Sequence, residues 1–502
     1  MPLPPVGSRN GGGLRATGRP GGGTPQWLAD RLTPGQREAA LAALETMLVM
    51  RNALTLLLLS LPLTGLADTD CETGYFALQQ ALARAGIDDA QARTLTGFPH
   101  LGVDRWLAFQ QRKAVSEPQQ QQWIRLATAK AWRDQSVLVQ RLTTDGDGFS
   151  PQTAQTLLAS CLPVLAARTD FSVLPQAEIP DSYATWLRVA GMYPLMAWLA
   201  TGSIDDYHRE MSARFRDPAR QPQQQFSPPT GGTVPVTPDV LSANPLRIPL
   251  PDTEQWQAML SHYAPVVAVS DTQPWNVPGR IQLDETRTPV IRTETPVSYT
   301  WPSWTHFRSK NLLQINYQFW FSKRPKKGWL DTYAGSLDGI IWRVTLKPNG
   351  KVLFYDSIHP CGCYHKIYPV DPTLKAADIE GDKPVFYPGH VMDAHDERLT
   401  LLLEPDTHYL VRVTPTSDLL PTSSYQLADA NALRALKHKD GTVASLFNAR
   451  GLVPISKRAE RFYLWPMGIP SAGAMRQPGE HAIAFKGRRH FDEATLAETL
   501  FE

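Results

Sequence analysis

"GIIWRVTLKPNGKVLFYDSIHPCGCYHK" (Gly339–Lys366) decides how the second half of this chain folds. Asn349-Gly350 is the strongest short-range signal for a tight reversal, because both central positions of a type I′ turn need positive φ. Such a turn sets the register of its two flanking strands. It places Pro348 opposite Lys351, Leu346 opposite Leu353, Val344 opposite Tyr355, Trp342 opposite Ser357, and Ile340 opposite His359. On the other face Arg343 meets Asp356 and Ile341 meets Ile358. The register gives Ile340, Trp342, Val344 and Leu346 one apolar face and gives Arg343 an acidic cross-strand neighbour.

The same period of two recurs on either side. In "LLQINYQFWF" (Leu312–Phe321), Leu313, Ile315, Tyr317, Phe319 and Phe321 share one face, and Gln314, Asn316 and Gln318 share the other. That pattern predicts a half-buried antiparallel strand. "RLTLLLEPDTHYLVRVTP" (Arg398–Pro415) predicts a second hairpin around Pro405-Asp406. "PGEHAIAFKGRRHFDEATLAETLF" (Pro478–Phe501) predicts a strand and then a short helix capped by Asp492. Upstream the period is helical. "GYFALQQALARAGI" (Gly74–Ile87) places its apolar residues on one stripe and stops at Gly86. Ser116 with Gln119 predicts a capping box, and Ser150-Pro151 predicts another helix start. Residues 217–239 are rich in Pro, Gln and Gly and read as a linker. The expected fold is α+β: an all-α region at 68–216, then an antiparallel β-rich region with hairpins at 240–502.

The functional question lies where the hairpin strand ends. His359, Cys361, Cys363 and His365 occupy alternate positions, and Pro360 and Gly362 oppose a regular strand there. Were the segment straight, His359 and His365 would lie about 20 Å apart at ~3.3 Å per residue, too far to share an ion. A bend at Pro360-Cys361-Gly362 would gather them. Imidazole and thiolate suit zinc or copper, so His359, Cys361, Cys363 and His365 are candidate metal ligands, completed by His390 or His481. His395, His408 and His490 could also contribute. A second reading makes Cys361 and Cys363 a reversible disulfide whose thiols the histidines tune. A third is structural: Cys71 bridges Cys161 and staples the helices, leaving Cys361 with Cys363, or each cysteine ties the two regions together.

The chain has 502 residues, 42% hydrophobic and 20% charged, with a net charge of +2, so no nucleic-acid footprint is expected. Its 43 prolines point to many ordered loops. Residues 1–46 carry a Gly/Pro/Arg-rich start and are expected to be disordered, as an over-extended N-terminus ahead of a true start at Met47 or Met50. Residues 47–67 then have the layout of a signal peptide. Arg51 precedes an uncharged run, Ala53–Ala67, and Gly65 and Ala67 suit cleavage before Asp68. The alternative is an uncleaved anchor, with the run shorter than the ~20 residues of a comfortable span. Both place 68–502 outside the cytoplasm, in the periplasm or secreted, where disulfides persist. Membrane contact is then expected only through the N-terminal segment, and the partner would be an unidentified envelope component or small ligand.

Other motifs rank lower. "TTDGDGFSPQTA" (Thr143–Ala154) echoes a calcium loop but lacks the first acid and the final Glu, and reads as a helix–helix turn. Ser357, His359 and Asp356 suggest a triad, yet Asp356 points to the other face and no nucleophile elbow exists. "SKRPKK" (Ser322–Lys327) and "KGRRH" (Lys486–His490) are basic clusters able to meet an anion. The aromatic strip Trp301, Trp304, Phe307, Tyr317, Phe319, Trp320 and Phe321 reads as core or as a sugar platform.

"LLQINYQFWF", the hairpin with its "YDSIHPCGCYH" ending, and "MRQPGEHAIAFKGRRHFD" together resemble a group of uncharacterised proteobacterial secreted proteins. The resemblance covers most of the chain after residue 68. It implies export and no activity. The function expected is an exported envelope protein with a His/Cys metal site, or a non-catalytic binding module with structural or redox disulfides.

Overall fold

Helices come first because the early sequence carries helical periodicity and well-formed caps. The computed structural model describes residues 68–502 apart from 144–147, 217–221, 230–234, 396 and 417–421. The expected N-terminal extension and signal segment, and the centre of the calcium-like loop, lie outside the described residues. The principal helices are α1 (Asp68–Arg84), α2 (Arg105–Lys113), α3 (Glu117–Leu138), α4 (Pro151–Ala167), α5 (Thr185–Ala190) and α6 (Tyr193–Arg216). At the start of α3, Gln119 Oε1 accepts from the Ser116 amide at 3.0 Å. At the start of α4, Ser150 Oγ accepts from the Thr153 amide at 3.1 Å. Both capping boxes are therefore in place. Cys71 on α1 and Cys161 on α4 stand at disulfide distance across 90 residues. None of the described helices is long and apolar enough to cross a membrane.

The second half is built on two principal sheets, beside two small two-stranded pairs (Arg280–Leu283 with Pro289–Arg292, Leu436–Lys437 with Val443–Ala444), and the fold is α+β with mostly antiparallel pairing. Its strands are β1 (Gln224–Ser227), β2 (Val266–Val269), β3 (Val297–Phe307), β4 (Lys310–Arg324), β5 (Gly335–Leu346), β6 (Val352–Ile358), β7 (Lys366–Pro369), β8 (Val385–Phe386), β9 (Leu399–Leu403), β10 (Leu410–Pro415), β11 (Thr422–Ser424) and β12 (Gln426–Asp429). Seven of them form one sheet in the order β8-β7-β6-β5-β4-β3-β12. Five form the other, β10-β9-β2-β1-β11, which contains the expected hairpin β9-β10. Strand β1 comes from the segment read as a linker. Its glutamines hid one buried anchor, Phe226, which seats it beside β2.

The hairpin β5-β6 pairs Val344 with Tyr355, Arg343 with Asp356, Trp342 with Ser357 and Ile341 with Ile358, as the sequence predicts. The route to that register differs. The reversal is a Lys347–Gly350 turn, closed by the Gly350 amide on the Lys347 carbonyl at 3.0 Å, with Gly350 at φ 82°. Leu346 then faces Val352 rather than Leu353, and a bulge at Leu353 restores the alignment from Thr345–Phe354 onward. Two one-residue departures cancel. Val352 and Tyr355 therefore both enter the core between the sheets, while Leu353 turns to the other side with Phe354.

Strand β4 is buried on both faces. Leu313, Ile315, Tyr317, Phe319 and Phe321 join the core shared with the five-stranded sheet. The polar face expected to meet solvent is covered too: Gln314, Asn316 and Gln318 are buried. Gln314 exchanges hydrogen bonds with Ser303 and Thr345, and Asn316 donates to the Trp301 carbonyl. Alternation marks two faces but not what covers them. Here the C-terminal segment closes over this side of the sheet, with Phe491, Leu496, Leu500 and Phe501 packing on Ile341, Phe354 and Ile358. That segment is not the regular strand expected, since Ala482 and His490 make a single isolated bridge. The helix Leu496–Leu500 is preceded by Thr495, and Asp492 instead pairs with Arg105 at 3.0 Å. Helices and sheets are joined by charge as well: buried Arg434 donates to Asp134 on α3 (2.7 Å) and to Asp89 (2.8 Å).

Arg343→Met leaves the Asp356 carboxylate in the sheet without its guanidinium and should cost about 3–5 kcal/mol in urea unfolding. Adding Asp356→Leu should restore part of that loss, and a double change worse than the single would refute the pairing. Removing the Cys71–Cys161 bridge by serine substitution should lower stability by about 2–5 kcal/mol, read by the same measurement.

Candidate functional site

Between β6 and β7 the chain bends where Pro360 and Gly362 require it. The His359 amide donates to the Cys363 carbonyl at 3.0 Å, and the Gly362 amide to the His359 carbonyl at 2.8 Å. Gly362 sits at φ 91°, and a Cβ there would stand 2.3 Å from the Ala482 carbonyl oxygen, so only glycine fits. Tyr364 also adopts positive φ. Arg476 clamps the bend: its amide donates to the Pro360 carbonyl (2.8 Å) and its Nε to the Cys361 carbonyl (3.3 Å).

The bend separates the two histidines and gathers the two cysteines. His365 faces Asp356, with Nε2 at 3.0 Å from Oδ2. The same carboxylate takes two bonds from Arg343, at 2.8 and 2.5 Å. His359 turns to the opposite face of the sheet, where Nδ1 lies 3.5 Å from Asp338. His408 Nδ1 holds the other Asp338 oxygen at 3.0 Å, and Arg458 lies 3.7 Å away. Burial works against the Asp338 charge, yet the hydrogen bonds and charges of His359 and His408 hold its carboxyl well below the usual range. Burial lowers His359 and His365 below the ordinary imidazole value, with their carboxylate partners opposing. Each histidine is thus committed to a buried carboxylate of its own.

Cys361 and Cys363 are both free thiols. A hydrogen bond with Cys361, then burial, raises the Cys363 thiol well above its ordinary value. Both side chains belong to the wall of a cavity of about 530 Å³, roofed by the inner face of α6 through Ser203, Ile204 and Tyr207. Tyr364 and Tyr409 stand 4.6 Å apart between ring centres and link this wall to His359, whose ring lies 5.0 and 5.4 Å from theirs. Glu460 also lines the cavity, and burial pushes its carboxyl up to about 7, against Arg458 and Arg324.

Of the other expected ligands, His481 is buried beside the bend; burial takes its imidazole down to about 3. His390 is exposed and packs on Phe215 with ring centres 5.8 Å apart, a different place. His395 pairs with His262, and His490 lies 3.1 Å from Asp181. Among the described residues no three His, Cys, Asp or Glu side chains are grouped to hold a metal ion. Ser357, His359 and Asp356 do not form a triad, since Asp356 is occupied on the other face by Arg343 and His365. Of the aromatic strip, Tyr317, Phe319, Trp320 and Phe321 are fully buried core residues.

Sequence reasoning missed Asp338, Arg476 and Glu460. Asp338 had a faint signal, as a lone acid inside the apolar run "SLDGIIW". Arg476 and Glu460 lie about a hundred positions from the bend and carry none.

Glu460 gives a pH test. Its folded value lies above the 4.5 of a free carboxyl, so its protonated form adds stability fully below pH 4.5, which is lost as pH rises through 7. Thermal unfolding of the wild type should therefore weaken between pH 4.5 and 7 by an amount on the order of 3 kcal/mol relative to Glu460→Gln. Parallel curves for the two proteins would refute the assignment.

Comparison with family models, with curated proteins and with solved structures finds no match to this chain, so its site is read from its own chemistry.

Proposed function

We propose that this chain works outside the cytoplasm as a binding module, whose ligand site is the cavity beneath α6 and whose Cys361–Cys363 pair is a reversible dithiol in the cavity wall. One observation carries the reading: the bend places both free thiols in the wall of a ligand-sized cavity while committing both flanking histidines to buried carboxylates. The cavity falls in the size range of small-molecule sites and mixes apolar walls with a few polar groups. Oxidation removes two electrons and two protons from the pair. An external disulfide accepts them and leaves as two thiols, while the Cys361–Cys363 bond closes across Gly362. The Cys71–Cys161 bridge supports an oxidising compartment.

Zinc or copper at His359, Cys361, Cys363, His365, His390 and His481 is the second reading. In its favour, His359 Nε2, His365 Nδ1 and His481 Nε2 are buried without a hydrogen-bond partner among the described residues. The missing convergence places it behind the dithiol.

Thiol titration beside elemental analysis separates the two. Protein purified without reductant, treated while folded and denatured only for titration, should show two thiols that disappear after oxidised glutathione and return with dithiothreitol. In Cys361→Ser the remaining thiol should be lost only with a glutathione adduct seen by mass spectrometry, whereas the wild-type pair closes with no adduct and the Cys71–Cys161 bridge stays in both. An equivalent of zinc or copper that protects the thiols until a chelator is added would replace the dithiol reading with the metal one, and thiols inert to glutathione would refute it.

A further inference from the structure

The outer side of the cavity roof is unlike the rest of the surface. Trp186 and Val189 on α5, Met192 in the turn, and Leu195, Trp198 and Leu199 on α6 are all exposed, Trp186 and Trp198 each at 70%. No charged residue occurs from Val189 to Ile204. Arg188, beside this run, is buried: it donates to the Met467 carbonyl and sits over the Tyr183 and Tyr193 rings. The apolar surface extends through the turn Trp465–Met467, which packs on both helices; a Cβ on Gly191 would lie 2.5 Å from Pro466. Phe462 and Trp465 are exposed there. Tyr463 then bonds Thr332 at 2.8 Å, joining the loop that exposes Trp329 (84%) and Leu330 (71%).

Cations border this surface. Arg461 lies 4.2 Å from the Phe462 ring. Lys326 and Lys327, from the basic run "SKRPKK", are exposed just before Trp329, with Lys327 Nζ 3.4 Å from Asp406. Arg488, from "KGRRH", bonds Thr185 next to Trp186, and Lys486 bonds Thr201, one turn past Trp198. The acids nearby are engaged: Asp181 with Arg488 and His490, and Asp331 with the amides of Lys327 and Tyr333. The acids of α6 begin only at Asp205.

We propose that this surface docks the folded chain onto an anionic lipid bilayer. Tryptophans on an uncharged helical face, ringed by Lys and Arg, match the interfacial zone, where indole rings seat at headgroup level and cations meet lipid phosphates. A second copy of the chain fits less well, because isologous pairing would set the same cation-bordered surface against itself. The inference goes beyond the ligand and dithiol reading and does not depend on it.

The test is co-sedimentation of the full-length chain with phosphatidylcholine vesicles and with vesicles also containing phosphatidylglycerol. The expected result is binding that needs phosphatidylglycerol and weakens with salt. Trp186→Ser with Trp198→Ser and Trp329→Ser should reduce partitioning at least about tenfold with unchanged circular dichroism, since these side chains are largely exposed. Lys326→Gln with Lys327→Gln should weaken binding to the phosphatidylglycerol vesicles and flatten its salt dependence. Every variant keeps the apolar run Ala53–Ala67, so equal binding by wild type and the tryptophan variant would overturn the proposal and assign binding to that run. No binding by either also overturns it. Self-association in sedimentation velocity that the tryptophan changes abolish, without vesicle binding, would assign the surface to a second copy.

Discussion

The Asp356 carboxylate is the constraint on which the centre of this protein depends. It lies fully buried in a sheet covered on both faces, where an uncompensated charge would be prohibitive. Arg343, directly across the β5-β6 ladder, supplies a two-pronged partner, and the ring of Phe491 closes over the guanidinium at 3.5 Å. His365 takes a remaining acceptor position on the same carboxylate. That bond commits the chain: after Ile358 it must bend and return along β7 so that His365 can arrive from the neighbouring strand. The bend at Pro360–Gly362 satisfies this, and both cysteines reach the cavity wall as its consequence.

A second buried carboxylate works on the opposite face. Asp338 collects His359, His408 and Arg458 from three distant parts of the chain. The two acids give the histidines structural partners and keep them apart, one on each side of the sheet. Burial favours neutral imidazoles that donate to carboxylates. The chemistry left facing the cavity belongs to the thiols, the tyrosines and Glu460. Helix α6 brings two faces to this region, with Tyr207 and Ile204 inward on the cavity and Trp198 and Leu199 outward.

How much of this could be read beforehand depends on range. Local chemistry was legible: the helix caps at Ser116 and Ser150, the Arg343–Asp356 pairing, the β9-β10 hairpin, and the bend at Pro360-Cys361-Gly362. The Asn349-Gly350 signal was right about reversal and wrong about turn type, because Gly350 needs positive φ in either geometry. A bulge at Leu353, invisible in the pattern, restored the register. The linker reading failed at β1 because composition averages over a segment, whereas one buried phenylalanine is enough to seat a short strand. Cys71–Cys161 was one of three possible connectivities, and folding α1 against α4 selected it.

The sequence by itself determined the α+β order, the alternation along β4 and β5, the cross-strand ion pair and the position of the bend. Each follows from φ preferences, side-chain period and charge over a few residues. Only the tertiary structure decided that the polar face of β4 is buried, that His359 and His365 look in opposite directions, and that Glu460 and α6 enclose the cysteines. Those outcomes depend on which surface covers which, and on carboxylates such as Asp338 whose partners are separated by up to 120 positions, distances over which no local preference acts.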